Sequence, residues 1–184
     1  DGIPFPEHLA SLGIVPGIKV DKGIKAIPFC EGETVTEGLD GLAERLSEYY
    51  ELGARFAKWR AVINISADDL PSSNCIRLNA HALARYAALC QQAQMVPIVE
   101  PEVLMDGNHN IDRCFDVTSE VLQEVFSELN KQKVALTGIV LKPNMVISGM
   151  DATNRADIPT VASATVKCLT ENVPDEVPGI AFLS

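Results

Sequence analysis

The heptapeptide VPIVEPE (residues 96–102) decides how the rest of the chain is read. Its first four residues are apolar without interruption, the signature of a strand buried on both faces. It then breaks into Glu100-Pro101-Glu102, two carboxylates at i and i+2 that face the same side of an extended chain. The figure returns three times. GIKVD (17–21) ends on Lys19 and Asp21, FAKWR (56–60) carries Lys58 and Arg60, and IVLKPN (139–144) ends on Lys142 and Asn144. Lys19, Lys58, Glu100, Lys142 and Ser184 stand 39, 42, 42 and 42 residues apart. So regular a period puts each at the equivalent point of successive strand–helix units.

Working outward, apolar runs bounded by Gly, Pro or polar residues predict strands over 13–20, 56–65, 96–99, 138–141 and 179–183. Four helical patterns separate them. Leu39, Leu42, Leu46 and Tyr49 share one face, and residues 79–94 carry Leu83, Tyr86, Ala87, Leu89 and Cys90 on another. Val117, Val121, Val125 and Leu129 step by four, with Leu122 and Phe126 widening the stripe. Asp157 is a natural N-cap ahead of Pro159, Ala162, Val166 and Leu169. Strands alternating with such helices pair in parallel through right-handed crossovers. Both an open doubly wound sheet and a (β/α)8 barrel have this signature. The open sheet is weakened because no strand is followed by the glycine fingerprint G-x-G-x-x-G. In a barrel the ends of the strands converge on one mouth, where active sites are built. No linker or charge run divides the chain, so a single domain over 1–184 is expected.

Composition narrows the function classes. The 184 residues carry 25 acidic and 15 basic side chains, a net charge of −10, which argues against sequence-independent nucleic-acid binding. The apolar runs are too short to span a bilayer, and the opening DGIPFP has neither a basic nor a long apolar region, so neither a membrane span nor a leader is expected. Five scattered cysteines without a CxxC pair fit a reducing cytoplasm, and neither they nor the three separated histidines propose a metal site.

The strand-end residues propose chemistry. Lys19, Lys58, Arg60 and Lys142 make the expected mouth cationic in an otherwise acidic protein, which points to an anionic small ligand, phosphate above all. A lysine attacks a ketone only when partly deprotonated, which burial and neighbouring cations favour. Lys142, flanked by Leu141 and Pro143, meets that description, and a carboxylate such as Glu100 can shuttle the protons that imine formation needs. The residues themselves therefore suggest a Schiff-base enzyme acting on a phosphorylated carbonyl compound, while lysines that only bind phosphate would give the same pattern.

The chain resembles the class I fructose-1,6-bisphosphate aldolases. The resemblance is carried, in order and nearly end to end, by GIKVDKG (17–23), ETVTEGLDGL (33–42), FAKWR (56–60), LARYA (83–87), VPIVEPE (96–102), LKPNMV (141–146) and FLS (182–184). It implies a (β/α)8 TIM barrel, of which this chain would supply five consecutive units, the third to the seventh strands. It also implies reversible cleavage of fructose 1,6-bisphosphate to dihydroxyacetone phosphate and glyceraldehyde 3-phosphate, with no cofactor and no metal. By motif, Lys142 would be the Schiff-base lysine and Glu100 the main acid/base, with Glu102 as its carboxylate neighbour. Lys58 would lie beside the imine, Arg60 and Lys19 would contact substrate or neighbouring carboxylates, and Ser184 would begin the loop holding one substrate phosphate. A cytoplasmic, tetrameric parent enzyme is the family expectation.

Several residues stay open at this point. Trp59 is either packing or substrate-lining, Asn144 either bonds within the site or caps the next loop, and Asp21 is expected to pair with Lys19 or Lys22. The chain also departs from the family pattern: the aspartate of the first barrel strand, the arginine near the last and the glycines after FLS have no counterparts. The expectation is an internal piece of a longer enzyme, incomplete at both ends. Its alternatives are a catalytically incomplete structural or interaction module, and a Schiff-base aldolase for another sugar phosphate.

Overall fold

The computed structural model describes residues 2–66 and 69–182. In chain order the elements are α1 (Phe5–Ser11), β1 (Gly17–Lys19), β2 (Ile24–Ala26), β3 (Thr34–Thr36), α2 (Leu42–Glu51), β4 (Phe56–Ile63), α3 (Ser73–Gln92), β5 (Val96–Val103), α4 (Ile111–Lys131), β6 (Val140–Leu141) and α5 (Ile158–Asn172). β1, β4, β5 and β6 form one parallel sheet in that order, and a parallel bridge from Leu141 to Ile180 adds a fifth segment. Each strand thus neighbours its successor. A doubly wound sheet reverses its order at a switch point. These strands never do, which is the winding of a barrel.

β4 shows how the layers separate. Ala57, Trp59, Ala61 and Ile63 are buried, whereas Lys58 and Arg60 on the alternate face are only half-buried. The buried face packs on α3, where the Trp59 and Tyr86 rings stack with centroids 5.5 Å apart and planes 29° apart. The Tyr86 hydroxyl donates to the carbonyls of Ala57 (2.7 Å) and Ile98 (3.2 Å), tying α3 to β4 and β5 at once. Burial pushes the phenol well above its ordinary pKa, so it remains a donor. Trp59 is therefore a packing residue. The helix-facing side chains of β5 and α4, among them Val99, Val103, Val121, Leu122 and Leu129, join the same core, as do Cys90 and Cys168.

The observed strands differ in length from expectation, for local reasons. β1 begins at Gly17, because residues 13–15 lie exposed before Pro16 and pairing opens only where the Pro16 carbonyl accepts Arg55 N–H at 2.9 Å. β5 runs four residues past Val99, since its eight positions pair throughout with Phe56–Ile63 and the glutamates occupy its inner face. β6 keeps only Val140 and Leu141, residues 136–138 being a 3-10 turn, and of the final expected strand the described residues show the bridge at Ile180, Leu183 lying outside them. α3 starts at Ser73, not near 79. The Ser72 hydroxyl caps Cys75 N–H at 3.2 Å, and buried Glu33 accepts from Ser72 N–H (2.5 Å) and Oγ (2.7 Å) at the positive end of the helix.

The β2–β3 hairpin and α1 carry no strong periodicity and are not anticipated. The hairpin docks on the upper part of β4 through side chains. Thr36 Oγ1 donates to the Arg60 carbonyl (2.7 Å), Thr34 Oγ1 donates to that of Val62 (3.3 Å), and Asn79 Nδ2 donates to the Thr34 carbonyl (2.8 Å).

Both layers of this packing can be tested by substitution. Tyr86→Phe removes one hydroxyl serving two strands and lowers stability by about 1 kcal/mol in urea unfolding, and Trp59→Ala by about 3–5 kcal/mol. On the outer layer, Glu128 of α4 accepts from Lys131 Nζ at 2.8 Å and meets His81 Nδ1 of α3 at 2.9 Å. The Lys131 bond, then that of His81, holds the Glu128 carboxyl below its ordinary pKa. Its contribution is complete above the unfolded-state carboxylate value and is lost as pH falls through the lower folded value. Glu128→Gln is expected to flatten this acid limb of the stability profile, measured by denaturant titration across acidic pH.

Candidate active site

Glu100 is the focus of the sheet's inner face. Its carboxylate is buried, yet it meets two ammonium groups from the strands on either side. Lys142 Nζ donates to Oε1 at 2.8 Å, and Lys58 Nζ lies 2.9 Å from Oε2. The Lys58 contact is an ion pair set off the hydrogen-bonding direction, so Oε2 is buried without a hydrogen-bond donor among the described residues. The register explains the convergence. Lys58 on β4 is opposite Ile98, and Lys142 follows Leu141, which is opposite Val99, so both lysines reach one carboxylate from flanking positions.

Two residues further along, Arg60 Nε bonds Glu102 Oε2 across the same pair of strands. That bond, opposed by partial burial, raises the Arg60 guanidinium above its ordinary pKa, with Glu100 and Asp21 adding to the effect. Lys58, Arg60, Glu100, Glu102 and Asn144 line a cleft of about 320 Å³, whose other wall is apolar: Val103, Met105, Met145 and Ile147. A larger cavity of about 660 Å³ lies at the opposite ends of the strands, between α1 and the α2–β4 turn, and only Glu7, Glu51 and Arg55 bring charge to it. Size favours that cavity; the convergence of charged groups belongs to the cleft.

Not every strand-end pair behaves alike. Lys19 pairs with Asp21, whose other bonds reach Gly23 N–H (3.2 Å) and Arg60 N–H (3.4 Å). The half-exposed Lys19 lies beside Lys58 in register but does not line the cleft. Asn144 borders the cleft but turns its amide away from it, between β5 and α4. Ser184 lies outside the described residues. The cationic mouth expected from sequence is largely neutralised, four cations facing three carboxylates in paired contacts.

The loops above the cleft are fastened by backbone. Gly149, Met150 and Asp151 donate N–H groups to the carbonyls of His109 (2.8 Å), Met105 (2.8 Å) and Gly107 (2.9 Å). A side chain at Gly149 would come within 2.2 Å of the Gly107 carbonyl oxygen, so only glycine permits this approach. His109 is buried beneath these loops, and neither ring nitrogen makes a well-formed hydrogen bond among the described residues. Burial pushes its imidazole below the ordinary pKa, against an opposing contact with the Ile147 backbone. No sequence signal distinguishes this histidine from a solvated loop residue.

A family model for fructose-bisphosphate aldolase class I matches residues 1–184. The chain belongs to the class I fructose-bisphosphate aldolases. It is 59% identical over 183 residues to a probable fructose-bisphosphate aldolase class 1 of Xylella fastidiosa, covering all of this chain and 54% of that protein. It is 53% identical to the cytosolic fructose-bisphosphate aldolase 5 of Arabidopsis thaliana, covering all of this chain and 51% of that one. Among solved structures, the fructose-bisphosphate aldolase of Plasmodium falciparum, crystallised with TRAP and a small-molecule inhibitor, superposes with a TM-score of 0.97 at 49% identity. The match covers all of this chain and 53% of that one. The chain thus spans about half the length of the relatives it matches, and its parallel sheet is part of a TIM barrel.

The Arg60–Glu102 pair can be tested chemically. Arg60 is 40% exposed on its side chain, so the pair is worth little in stability. Glu102→Gln is nonetheless expected to raise phenylglyoxal modification of Arg60 by about threefold relative to Arg77, an exposed residue of α3, read by peptide mass spectrometry.

Proposed function

We propose that this chain carries the Schiff-base centre of a fructose-bisphosphate aldolase, with Lys142 as the nucleophile and Glu100 as the acid/base. One observation supports the reading above all: a buried carboxylate held between two lysines of neighbouring strands, at the edge of a half-apolar cleft. The Lys142 amine attacks the substrate ketone, forming a C–N bond, and the carbonyl oxygen takes a proton. Glu100 relays that proton and a second one, so that the oxygen leaves as water and a protonated imine remains. The C4 hydroxyl then gives up its proton to a base as the C3–C4 bond breaks, and the electron pair of that bond passes into the imine. Glyceraldehyde 3-phosphate leaves and the resulting enamine is protonated. Hydrolysis of the renewed imine releases dihydroxyacetone phosphate and restores Lys142.

The charged residues around this pair serve the step. Lys58 holds Glu100 from the other side and keeps positive charge beside the nitrogen that becomes the imine. Arg60, fixed by Glu102, offers its outer N–H groups to an anionic substrate, for which a planar guanidinium is well shaped. Lys19, clamped by Asp21, adds charge at the rim. A role for Ser184 in holding a substrate phosphate rests on the family resemblance. The base for the C4 hydroxyl is assigned to no residue of this chain.

A homo-oligomeric parent enzyme, a tetramer by family resemblance, is part of the proposal. So is a cytoplasmic location, supported by the cytosolic Arabidopsis relative and by five cysteines that remain free thiols.

Borohydride reduction of the full-length protein with dihydroxyacetone phosphate is expected to leave a stable adduct on Lys142, located by peptide mapping. Lys142→Arg should abolish it, and undiminished trapping in that variant refutes the assignment. Glu100→Gln is expected to lower the cleavage rate by about 10²–10⁴-fold, the usual worth of a positioned acid/base.

A further inference from the structure

The ladder between β5 and β6 ends at Lys142, and a side chain takes over from it. On β5 the odd-numbered residues turn their backbone polar groups toward β6, for Lys142 N–H donates to the Val99 carbonyl at 2.8 Å. The even-numbered side faces β4, as the N–H of Leu104, donating to the Ile63 carbonyl at 3.0 Å, marks. The next odd position is Pro101, which has no N–H to give. Pro143 has the same deficit on the other flank, where Leu141 N–H had paired with the Gly179 carbonyl at 3.1 Å. Past Lys142 the backbone therefore lacks a donor on either side.

The following odd N–H, that of Val103, donates instead to Asn144 Oδ1 at 3.1 Å. The amide nitrogen of Asn144 donates to Thr118 Oγ1 on α4 (3.0 Å) and to the Met145 carbonyl (3.1 Å). Asn144 is 5% exposed, so these bonds are made away from water and leave its amide fully engaged. One end of this clamp holds β5 one residue past Glu102, and the other begins two residues past Lys142. It spans the interval in which Pro101 has interrupted the regular ladder between β5 and β6.

We propose that Asn144 is the positioning residue that fixes Lys142 Nζ against Glu100. Its side-chain amide resumes the β5–β6 pairing that Pro101, without an N–H, interrupts, and Thr118 orients that amide from α4. The inference rests on the reading of Lys142 and Glu100 as the reacting pair. Without the clamp the two strand ends part, and the lysine amino group is released from the hydrogen bond it donates to the carboxylate.

The test compares lysines within one molecule. The native full-length protein is labelled with a trace of acetic anhydride, and acetylation of Lys142, Lys58 and the distant Lys131 is quantified by mass spectrometry. Asn144→Ala is expected to raise labelling of Lys142 about tenfold relative to Lys131, the worth of one charge-assisted hydrogen bond. Thr118→Val, which removes only the orienting acceptor, is expected to give a smaller rise in the same direction. In the same variants borohydride trapping with dihydroxyacetone phosphate is expected to fall, so general reactivity and productive reactivity move oppositely. A merely structural role moves both the same way. A Lys142-to-Lys131 ratio unchanged from wild type in Asn144→Ala overturns the proposal. Should that variant label every lysine together, it has unfolded, and an unchanged ratio in Thr118→Val overturns the proposal instead. If the wild type fails to trap at all, the aldolase reading fails, while the acetylation ratios still decide whether Asn144 holds the lysine.

Discussion

A carboxylate buried between two ammonium groups constrains more of this molecule than any apolar contact does. Removing a charged Glu100 from water is costly, and the cost is met only because Lys58 and Lys142 reach it from both sides. That requires three consecutive strands in parallel, in sequential order and in a register that brings position 100 between positions 58 and 142. A one-residue slip of β5 would send the glutamate toward Trp59 and α3 and turn a valine or proline to the lysines. The ion triad and the strand register therefore specify each other.

The opposite face of the sheet supplies the stiffness the triad relies on. Trp59 sits between Lys58 and Arg60 in sequence and points the other way, into α3. Tyr86 then grips β4 and β5 with a single hydroxyl, so the strands bearing Lys58 and Glu100 are fixed relative to each other from behind. β6 has no such grip. Its regular pairing covers two residues, and from Asn144 to Ile147 side chains hold the chain in place before backbone bonds resume at Gly149.

The legibility of these features in the sequence reflects their physics. Side-chain alternation has period two, so spacing alone places Lys58 with Arg60, and Glu100 with Glu102, on one face. Strand ends are less readable. The E-P-E run reads as the close of an apolar strand, yet β5 continues through it because its inner face has a mouth to line rather than a core to fill. Asn144 shares the i, i+2 spacing and breaks the rule, since the prolines at 101 and 143 end the pairing that the spacing assumes. The α3 start is signalled by Ser72 and obscured by the weak apolar stripe of the first two turns. The β2–β3 hairpin, three residues to a strand and held by Thr and Asn side chains, has no periodicity to read.

The single tryptophan gives the fold a built-in optical probe. Its indole is fully buried and stacked on a tyrosine, on the face of β4 turned away from the cleft. Its emission therefore reports the integrity of the β4–α3 layer and is insulated from events at the lysines. Fluorescence recorded during denaturation would read the scaffold alone, while ligand binding in the cleft calls for a label placed on the other side of the sheet.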